Sequence, residues 1–140
     1  MATVQGVSYA HINFEEYQEW RNKTVVYSDT LEAGSVAEMS YLAMGLAGER
    51  GETIDAIKKL LRAHGPSASV SLVVSQGTKE NIVNELGDVI WYFVGLCETL
   101  GIPPYEVFAA NIDKLMDRHG MGLEEYNYSR MGSGGVQLKT

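Results

Sequence analysis

Residues 36–64 read VAEMSYLAMGLAGERGETIDAIKKLLRAH, and this stretch decides the fold of the chain. Its apolar residues recur at steps of three and four, which is the spacing of one face of an α-helix. They are Met39, Leu42, Ala43, Leu46, Ile54, Ile57, Leu60 and Leu61. Gly65 and Pro66 follow, and both residue types end helices. The pattern therefore predicts one long helix over residues 36–64.

Three further segments have helical spacing. A short first helix is predicted over residues 13–20, and a last helix over 103–118, where two prolines suit the start. A central helix is predicted from a Thr78 cap to residue 100, with apolar residues around most of its circumference. Such a helix is typical of a bundle centre or a subunit interface. We therefore predict an all-α fold, a compact bundle of about four helices completed by oligomerisation.

The connecting segments are predicted from their turn residues. Residues 27–35 should be irregular, and the insertion at 67–77 should hold a short strand or an ordered loop within 69–75. Residues 1–12 and 121–140 are predicted to be flexible tails of a single domain that spans residues 1–140, since this length suits one core.

Composition narrows the classes of function. A net charge of −7 argues against a nucleic-acid polymer as partner, because a surface that follows a phosphate backbone needs clustered Lys and Arg. The single cysteine, Cys97, predicts a buried, inert thiol in a reducing compartment. The longest apolar run, residues 89–97, is shorter than the roughly 20 residues that a membrane helix needs. We expect a cytoplasmic protein without a membrane partner, or one of the host cytoplasm if it is viral.

Two acidic pairs repeat one spacing on the two longest predicted helices. Glu49 and Glu52 are three residues apart on one helix, and Glu85 and Asp88 are three apart on the other. Residues at this spacing share a helix face. If the two helices are antiparallel neighbours, four carboxylates converge. A single pair of this kind is most often a solvated helix face, but two matching pairs on core helices favour a shared cation site.

The ligand type predicts the cation. No His or Cys stands at ligand spacing beside these carboxylates, and purely oxygen ligands favour magnesium, manganese or calcium over zinc. Mg²⁺ is the expected cofactor, and Mn²⁺ is expected to substitute for it.

The same two stretches resemble a known family. The run GLAGERGE at residues 45–52, followed by AIKK at 56–59, and the run NELGDVIWY at 84–92 are similar to the two signature helices of MazG-like nucleotide pyrophosphohydrolases. The similarity continues through Glu106 and Val107 to NIDKL at 111–115. Two features depart from the family pattern, Arg50 and the insertion at 67–77.

The resemblance implies a fold, an activity and site residues. It implies an all-α nucleoside triphosphate pyrophosphatase, assembled as a homodimer or homotetramer, that cleaves ribo- or deoxynucleoside triphosphates to monophosphate and pyrophosphate and so controls nucleotide pools. The metal ligands and catalytic carboxylates would be Glu49, Glu52, Glu85 and Asp88. The substrate-binding residues would be Tyr92, Asn111, Lys114 and Arg118, followed by the weaker candidates Lys58 and Lys59. The alternative is a non-catalytic helical interaction protein whose acidic pairs bind metal for structure.

Overall fold

The computed structural model describes residues 3–4, 7–8, 12–73 and 76–121. The elements in chain order are β1 (Thr3–Val4), β2 (Val7–Ser8), α1 (Phe14–Asn22), a 3-10 turn (Tyr27–Asp29), α2 (Val36–His64), α3 (Val70–Val73), α4 (Gln76–Thr99) and α5 (Pro104–His119). The all-α prediction is confirmed, because the only strands in the described part are the four residues of the β1–β2 pair. The chain divides into two compact units, Met1–Ile102 and Pro103–Thr140.

Both early helices begin at side-chain caps that the sequence makes possible. Asn13 and Glu16 form a capping box, in which Glu16 N donates to Asn13 Oδ1 at 2.9 Å and Asn13 N donates to Glu16 Oε2 at 3.1 Å. Glu38 N donates to the Oγ of Ser35 at the start of α2. Gly65 ends α2 with a φ of 77°, a conformation that glycine adopts without strain. The bounds of α2 are those predicted.

The structure differs from the prediction in the 67–77 insertion and at the start of the helix that follows it. Residues 70–73 form a single helical turn, α3, instead of the predicted short strand or ordered loop. The next helix, α4, already begins at Gln76, so Thr78 lies inside its first turn and is not its cap.

The tails were predicted in less detail. β1 and β2 lie within the predicted tail 1–12 and were not foreseen. Residues 122–140 of the other predicted tail lie outside the described residues.

The core of the first unit lies where α2 and α4 pack in antiparallel directions. Leu42 of α2 and Val94 of α4 are fully buried, and Cys97 is buried near the end of α4. Burial raises the pKa of the Cys97 thiol, which agrees with the inert cysteine expected from the sequence. Among the described helices, none is long and apolar enough to cross a membrane.

The second unit contains α5. Pro104 takes its first turn, where a missing N–H costs no hydrogen bond, and Gly120 ends it in the left-handed conformation with a φ of 63°. The basic residues Arg118 and His119 occupy the last turn, where they complement the helix dipole.

Candidate metal centre

Three carboxylates from two helices converge in the first unit. Glu49 of α2 and Glu85 and Asp88 of α4 each offer one oxygen, and these oxygens all lie within 4.8 Å of one another. Glu49 and Glu85 are half-buried, whereas Asp88 is exposed. The antiparallel packing of α2 and α4 produces this arrangement, because it sets the acidic segment of one helix opposite that of the other.

Glu52 lies at the edge of this group. Its side chain is exposed, and it is not one of the three residues whose oxygens converge. Its negative charge nevertheless contributes to the raised pKa of Glu49, so the fourth predicted carboxylate is within electrostatic reach of the other three.

The pKa of Glu49 reflects the negative charges that surround it. Partial burial is the main cause that raises its pKa, and the charges of Asp88, Glu52 and Glu85 raise it further. All four groups prefer a neighbouring positive charge to a neighbouring carboxylate. Oxygen ligands at this spacing fit a hard divalent cation such as Mg²⁺ or Mn²⁺. The donor set therefore suits the cofactor expected from the sequence.

Tyr92 lies one turn after Asp88 on α4 and reaches across to α2. A Cβ atom placed on Gly45 would overlap the Tyr92 ring, so the glycine makes room for the aromatic side chain. Burial raises the pKa of the Tyr92 hydroxyl, as do Tyr41, which hydrogen-bonds to it, and the charges of Glu49 and Asp88. This predicted substrate-binding residue thus borders the carboxylate group.

An aromatic group extends from Tyr92 along the α2–α4 interface. The Tyr92 ring contacts Trp91 with a centroid distance of 4.9 Å and Tyr41 with one of 6.4 Å. Tyr27, in the 3-10 turn, contacts both Tyr41 and Trp91. The turn at residues 27–29, in a segment predicted to be irregular, is thereby anchored to the main helices.

Sequence reasoning missed Arg21, which is 3% exposed. Its Nε donates to the Trp91 carbonyl oxygen at 2.9 Å, its Nη2 donates to the Tyr27 hydroxyl, and its Nη1 pairs with Glu98 Oε2 at 3.1 Å. The guanidinium also stacks on the indole of Trp91, 4.3 Å from the ring centroid. These contacts attach α1 to α4. No spacing rule connects residues 21 and 98, so only the fold shows this network.

Tyr17 of α1 was also missed. It is half-buried, and its pKa is raised first by burial and then by the charge of Asp88, while Arg21 acts in the opposite direction. The first turns of α1 therefore lie within electrostatic reach of the carboxylate group.

The remaining predicted substrate residues are on α5 and on the second half of α2. Asn111, Lys114 and Arg118 are exposed on α5 in the second unit, and their steps of three and four place them on one face of that helix. Lys59 pairs with Asp55 at 2.9 Å on the exposed side of α2, as does Lys58 at 2.7 Å. These two pairs lower the pKa of Asp55 to about 2. Lys59 is ten residues from Glu49, roughly 15 Å along the helix.

Comparison with known proteins identifies the family of this chain. The model of the MazG nucleotide pyrophosphohydrolase domain matches residues 38–122 of 140, which is more than half of the chain. The chain belongs to the MazG family. The match begins in the first turn of α2 and ends three residues after α5. It contains every predicted carboxylate and every predicted substrate residue, whereas Tyr17 and Arg21 precede it.

A curated relative agrees with this membership. The chain is 33% identical over 107 residues to the Gene 37 protein of Mycobacterium phage L5, an alignment that covers 76% of this chain and 89% of the relative. The two proteins are therefore similar along most of the length of the phage protein.

Proposed function

We propose that this MazG-family protein hydrolyses ribo- or deoxynucleoside triphosphates to the monophosphate and pyrophosphate in a magnesium-dependent reaction. Membership in the nucleotide pyrophosphohydrolase family supports the reaction class. The observation that carries the proposal is the convergence of oxygens from Glu49, Glu85 and Asp88 within 4.8 Å. Such a cluster is costly for an apo-protein and favourable for one that binds a divalent cation and a polyanion.

In this proposal the carboxylates bind the metal ion and take part in proton transfer. Glu49, Glu85 and Asp88 would hold Mg²⁺, for which Mn²⁺ would substitute. When bound, the ion supplies charge neutralisation at the phosphate oxygens and a lowered pKa for a coordinated water. Glu52, whose negative charge helps to raise the pKa of Glu49, would complete the ligand set, and one of the four carboxylates would accept the proton of the attacking water.

The other predicted residues would bind the substrate. Lys114 and Arg118 would donate charge-assisted hydrogen bonds to phosphate oxygens, and Asn111 on the same face of α5 would bind phosphate or sugar. Tyr92 would contact the substrate from the border of the carboxylate group. Lys59 remains the weakest candidate, since its ammonium group already pairs with Asp55.

A homodimer or homotetramer is part of the proposal. Large apolar side chains are exposed at helical steps on the second half of α2 and the first half of α4, namely Ile54, Ile57, Leu61, Val83 and Leu86. Burial of such stripes between copies stabilises an oligomer. Light scattering coupled to size exclusion would measure the mass of the oligomer.

We further propose that the protein acts on nucleotide pools in the cytoplasm, or in the host cytoplasm if the chain is viral.

The test is a screen of common ribo- and deoxynucleoside triphosphates with magnesium, in which monophosphate and pyrophosphate are detected separately. We expect equal amounts of the two products from at least one triphosphate. Asp88→Ala and Glu52→Ala should abolish the reaction while circular dichroism stays unchanged, and Glu19→Gln, an exposed acidic change on α1, should leave it intact. Full activity in the first two variants would refute the assigned roles.

The screen also tests the alternative. A non-catalytic metal-binding protein would release no pyrophosphate from any nucleotide, yet its melting temperature would rise with magnesium alone. That combination would replace the pyrophosphohydrolase proposal.

A further inference from the structure

A row of residues on α2 leads from the aromatic group to the carboxylates. Tyr41, Gly45 and Glu49 follow one another at steps of four, which places them on one face of the helix. Asp88 and Tyr92 have the same step on α4. The Tyr92 ring occupies the space that a Cβ atom on Gly45 would need, so the two rows face each other. Tyr41 is therefore the next side chain along α2 beyond the place that Tyr92 fills.

Tyr41 contacts Tyr92 through its ring and through its hydroxyl. The two ring centroids are 6.4 Å apart, and the ring planes make an angle of 54°. The Tyr41 side chain also hydrogen-bonds to the Tyr92 hydroxyl. A free tyrosine hydroxyl rotates, whereas one with a partner has a preferred orientation. The contact therefore orders the part of Tyr92 that can form hydrogen bonds.

Tyr41 is itself held by a buried network. The Tyr27 ring lies 4.9 Å from the Tyr41 ring, and the Tyr27 hydroxyl accepts a hydrogen bond from Arg21 Nη2 at 2.9 Å. A Cβ atom on Gly95 would overlap the Arg21 guanidinium, so the glycine leaves space for that group against α4. A continuous line of contacts thus runs from buried Arg21 through Tyr27 and Tyr41 to Tyr92.

The Tyr41 side chain is only partly enclosed. It is 37% exposed, whereas Tyr27 in the same line is 6% exposed. The ring of Tyr41 accounts for its packing, and the hydroxyl adds little to the burial of apolar surface. Loss of the hydroxyl alone would therefore affect the orientation of Tyr92 far more than the packing of α2 against α4.

We propose that Tyr41 is a positioning residue for the reaction: its hydroxyl fixes the orientation of Tyr92 at the border of the carboxylate group, where Tyr92 contacts the triphosphate. The inference rests on the proposed function, since it takes the triphosphate to lie at the carboxylates. Tyr41 acts through Tyr92 and needs no contact of its own with substrate or metal. Such pre-organisation strengthens binding, because a group that is already ordered loses less entropy when the ligand binds.

Removal of the Tyr41 hydroxyl tests this role in turnover. For a triphosphate that the wild type hydrolyses, Tyr41→Phe should raise KM about two- to tenfold, the loss expected for one neutral hydrogen bond, with a smaller change in kcat. The magnesium concentration that gives half the maximal rate should stay the same, because no carboxylate is altered. Tyr105→Phe removes the hydroxyl of an exposed tyrosine on α5 and should leave KM unchanged.

A double variant separates positioning from packing. Tyr92→Phe should raise KM at least as much as Tyr41→Phe does. Adding Tyr41→Phe to Tyr92→Phe should then change KM no further, because the hydroxyl that Tyr41 orients is already gone. Additive losses from the two substitutions, or an unchanged KM in folded Tyr41→Phe, would overturn the proposal.

The contact can also be measured without metal or turnover. In the full chain with ¹³C at Cζ of tyrosine, the Tyr92 signal is the one that disappears in Tyr92→Phe. Tyr41→Phe should shift this signal in EDTA, because the Tyr92 hydroxyl loses its partner, and Tyr105→Phe should leave it in place. An unshifted Tyr92 signal in folded Tyr41→Phe would also overturn the proposal.

The two kinds of measurement separate this inference from the proposed function. Pyrophosphate release with an unchanged KM in Tyr41→Phe would refute the positioning role and keep the pyrophosphohydrolase. Failure to release pyrophosphate from any triphosphate would refute the pyrophosphohydrolase, and with it the role of Tyr41 in that reaction, even where the Tyr92 signal shifts. A shifted signal together with a raised KM is the result that we expect.

Discussion

The ring of Tyr92 occupies the space that a side chain on Gly45 would need. This contact brings α4 close to α2 one turn before Glu49 and one turn after Asp88. It therefore controls the separation of the two helices at the candidate metal centre. Gly48, one turn further along α2, has open space in place of such a contact.

The two glycines should respond oppositely to alanine. Gly45→Ala should destabilise the fold by about 1–3 kcal/mol, because the new methyl group forces the Tyr92 ring or a helix to move. Gly48→Ala should stabilise it by about 0.5–1 kcal/mol, because alanine loses less backbone entropy in a helix. Urea denaturation of both variants measures the difference. A destabilising effect of equal size at the two positions would contradict the close contact.

Removal of Glu98 should loosen α1. Its carboxylate accepts hydrogen bonds from Gln18 at 3.0 Å and Asn22 at 2.8 Å and pairs with buried Arg21. Glu98→Ala should cost about 1–3 kcal/mol, because it leaves the Arg21 guanidinium with fewer partners. The partial exposure of Glu98 keeps this below the loss for a fully buried ion pair.

Chemical denaturation and hydrogen exchange of the α1 amides would report the effect. Glu19→Ala removes a carboxylate from the exposed side of α1. It should change the free energy of unfolding by less than about 0.5 kcal/mol. Faster exchange confined to α1 in Glu98→Ala is the expected pattern, and unchanged exchange there would show that the network does not hold the helix.

Neutralising Glu49 should stabilise the metal-free protein at neutral pH. Its pKa lies above the ordinary value of 4.5, so the folded protein binds this proton more tightly than the unfolded chain does. The free energy of unfolding therefore falls as the pH rises from 4.5 through the raised pKa of Glu49. It recovers when the pH is lowered below 4.5. Glu49→Gln removes this loss, so its melting temperature in EDTA should exceed that of the wild type at pH 7 but approach it near pH 4.

Magnesium should reverse the order of the melting temperatures of the wild type and Glu49→Gln. The ion should raise the melting temperature of the wild type more than that of Glu49→Gln, because the variant lacks one ligand. Glu19→Gln serves as the control, with a wild-type response to both pH and magnesium. Equal magnesium responses in wild type and Glu49→Gln would argue against Glu49 as a ligand.

The basic face of α5 should affect substrate binding. Lys114→Met should lower kcat/KM by about 10- to 100-fold, which corresponds to a lost charge-assisted hydrogen bond to phosphate. Lys59→Met removes the same charge from a lysine that pairs with Asp55 and should have a much smaller effect. Steady-state kinetics on the best triphosphate of the screen would decide. A larger loss for Lys59→Met would reverse the ranking of the two lysines.

The main helices could be predicted from the sequence because their signals are local. The terminator at Gly65 and the three- and four-residue apolar steps act within one or two turns, and so do the caps that the structure shows at Asn13 and Ser35. The start of α4 was harder, since Thr78 offered a plausible cap but the helix extends two residues before it. The insertion at 67–77 lacked periodicity long enough to distinguish a strand from a helical turn.

The acidic pairs were determined by the sequence alone, as was the family. Glu49 with Glu52, and Glu85 with Asp88, repeat one spacing that is visible without a structure. The packing of α2 against α4 decided which of them converge: Glu49, Glu85 and Asp88 do, and Glu52 does not. The spacing places a side chain on a helix face, but distances across two helices depend on how those helices pack.

The role of α1 was decided only by the tertiary structure. Burial of Arg21 against Trp91 and Glu98 joins residues that are some 70 or more positions apart in the chain. Periodicity and capping rules describe neighbours along one helix. Contacts between distant segments arise when apolar surfaces pack, and their partners depend on the whole set of helices rather than on any one pattern.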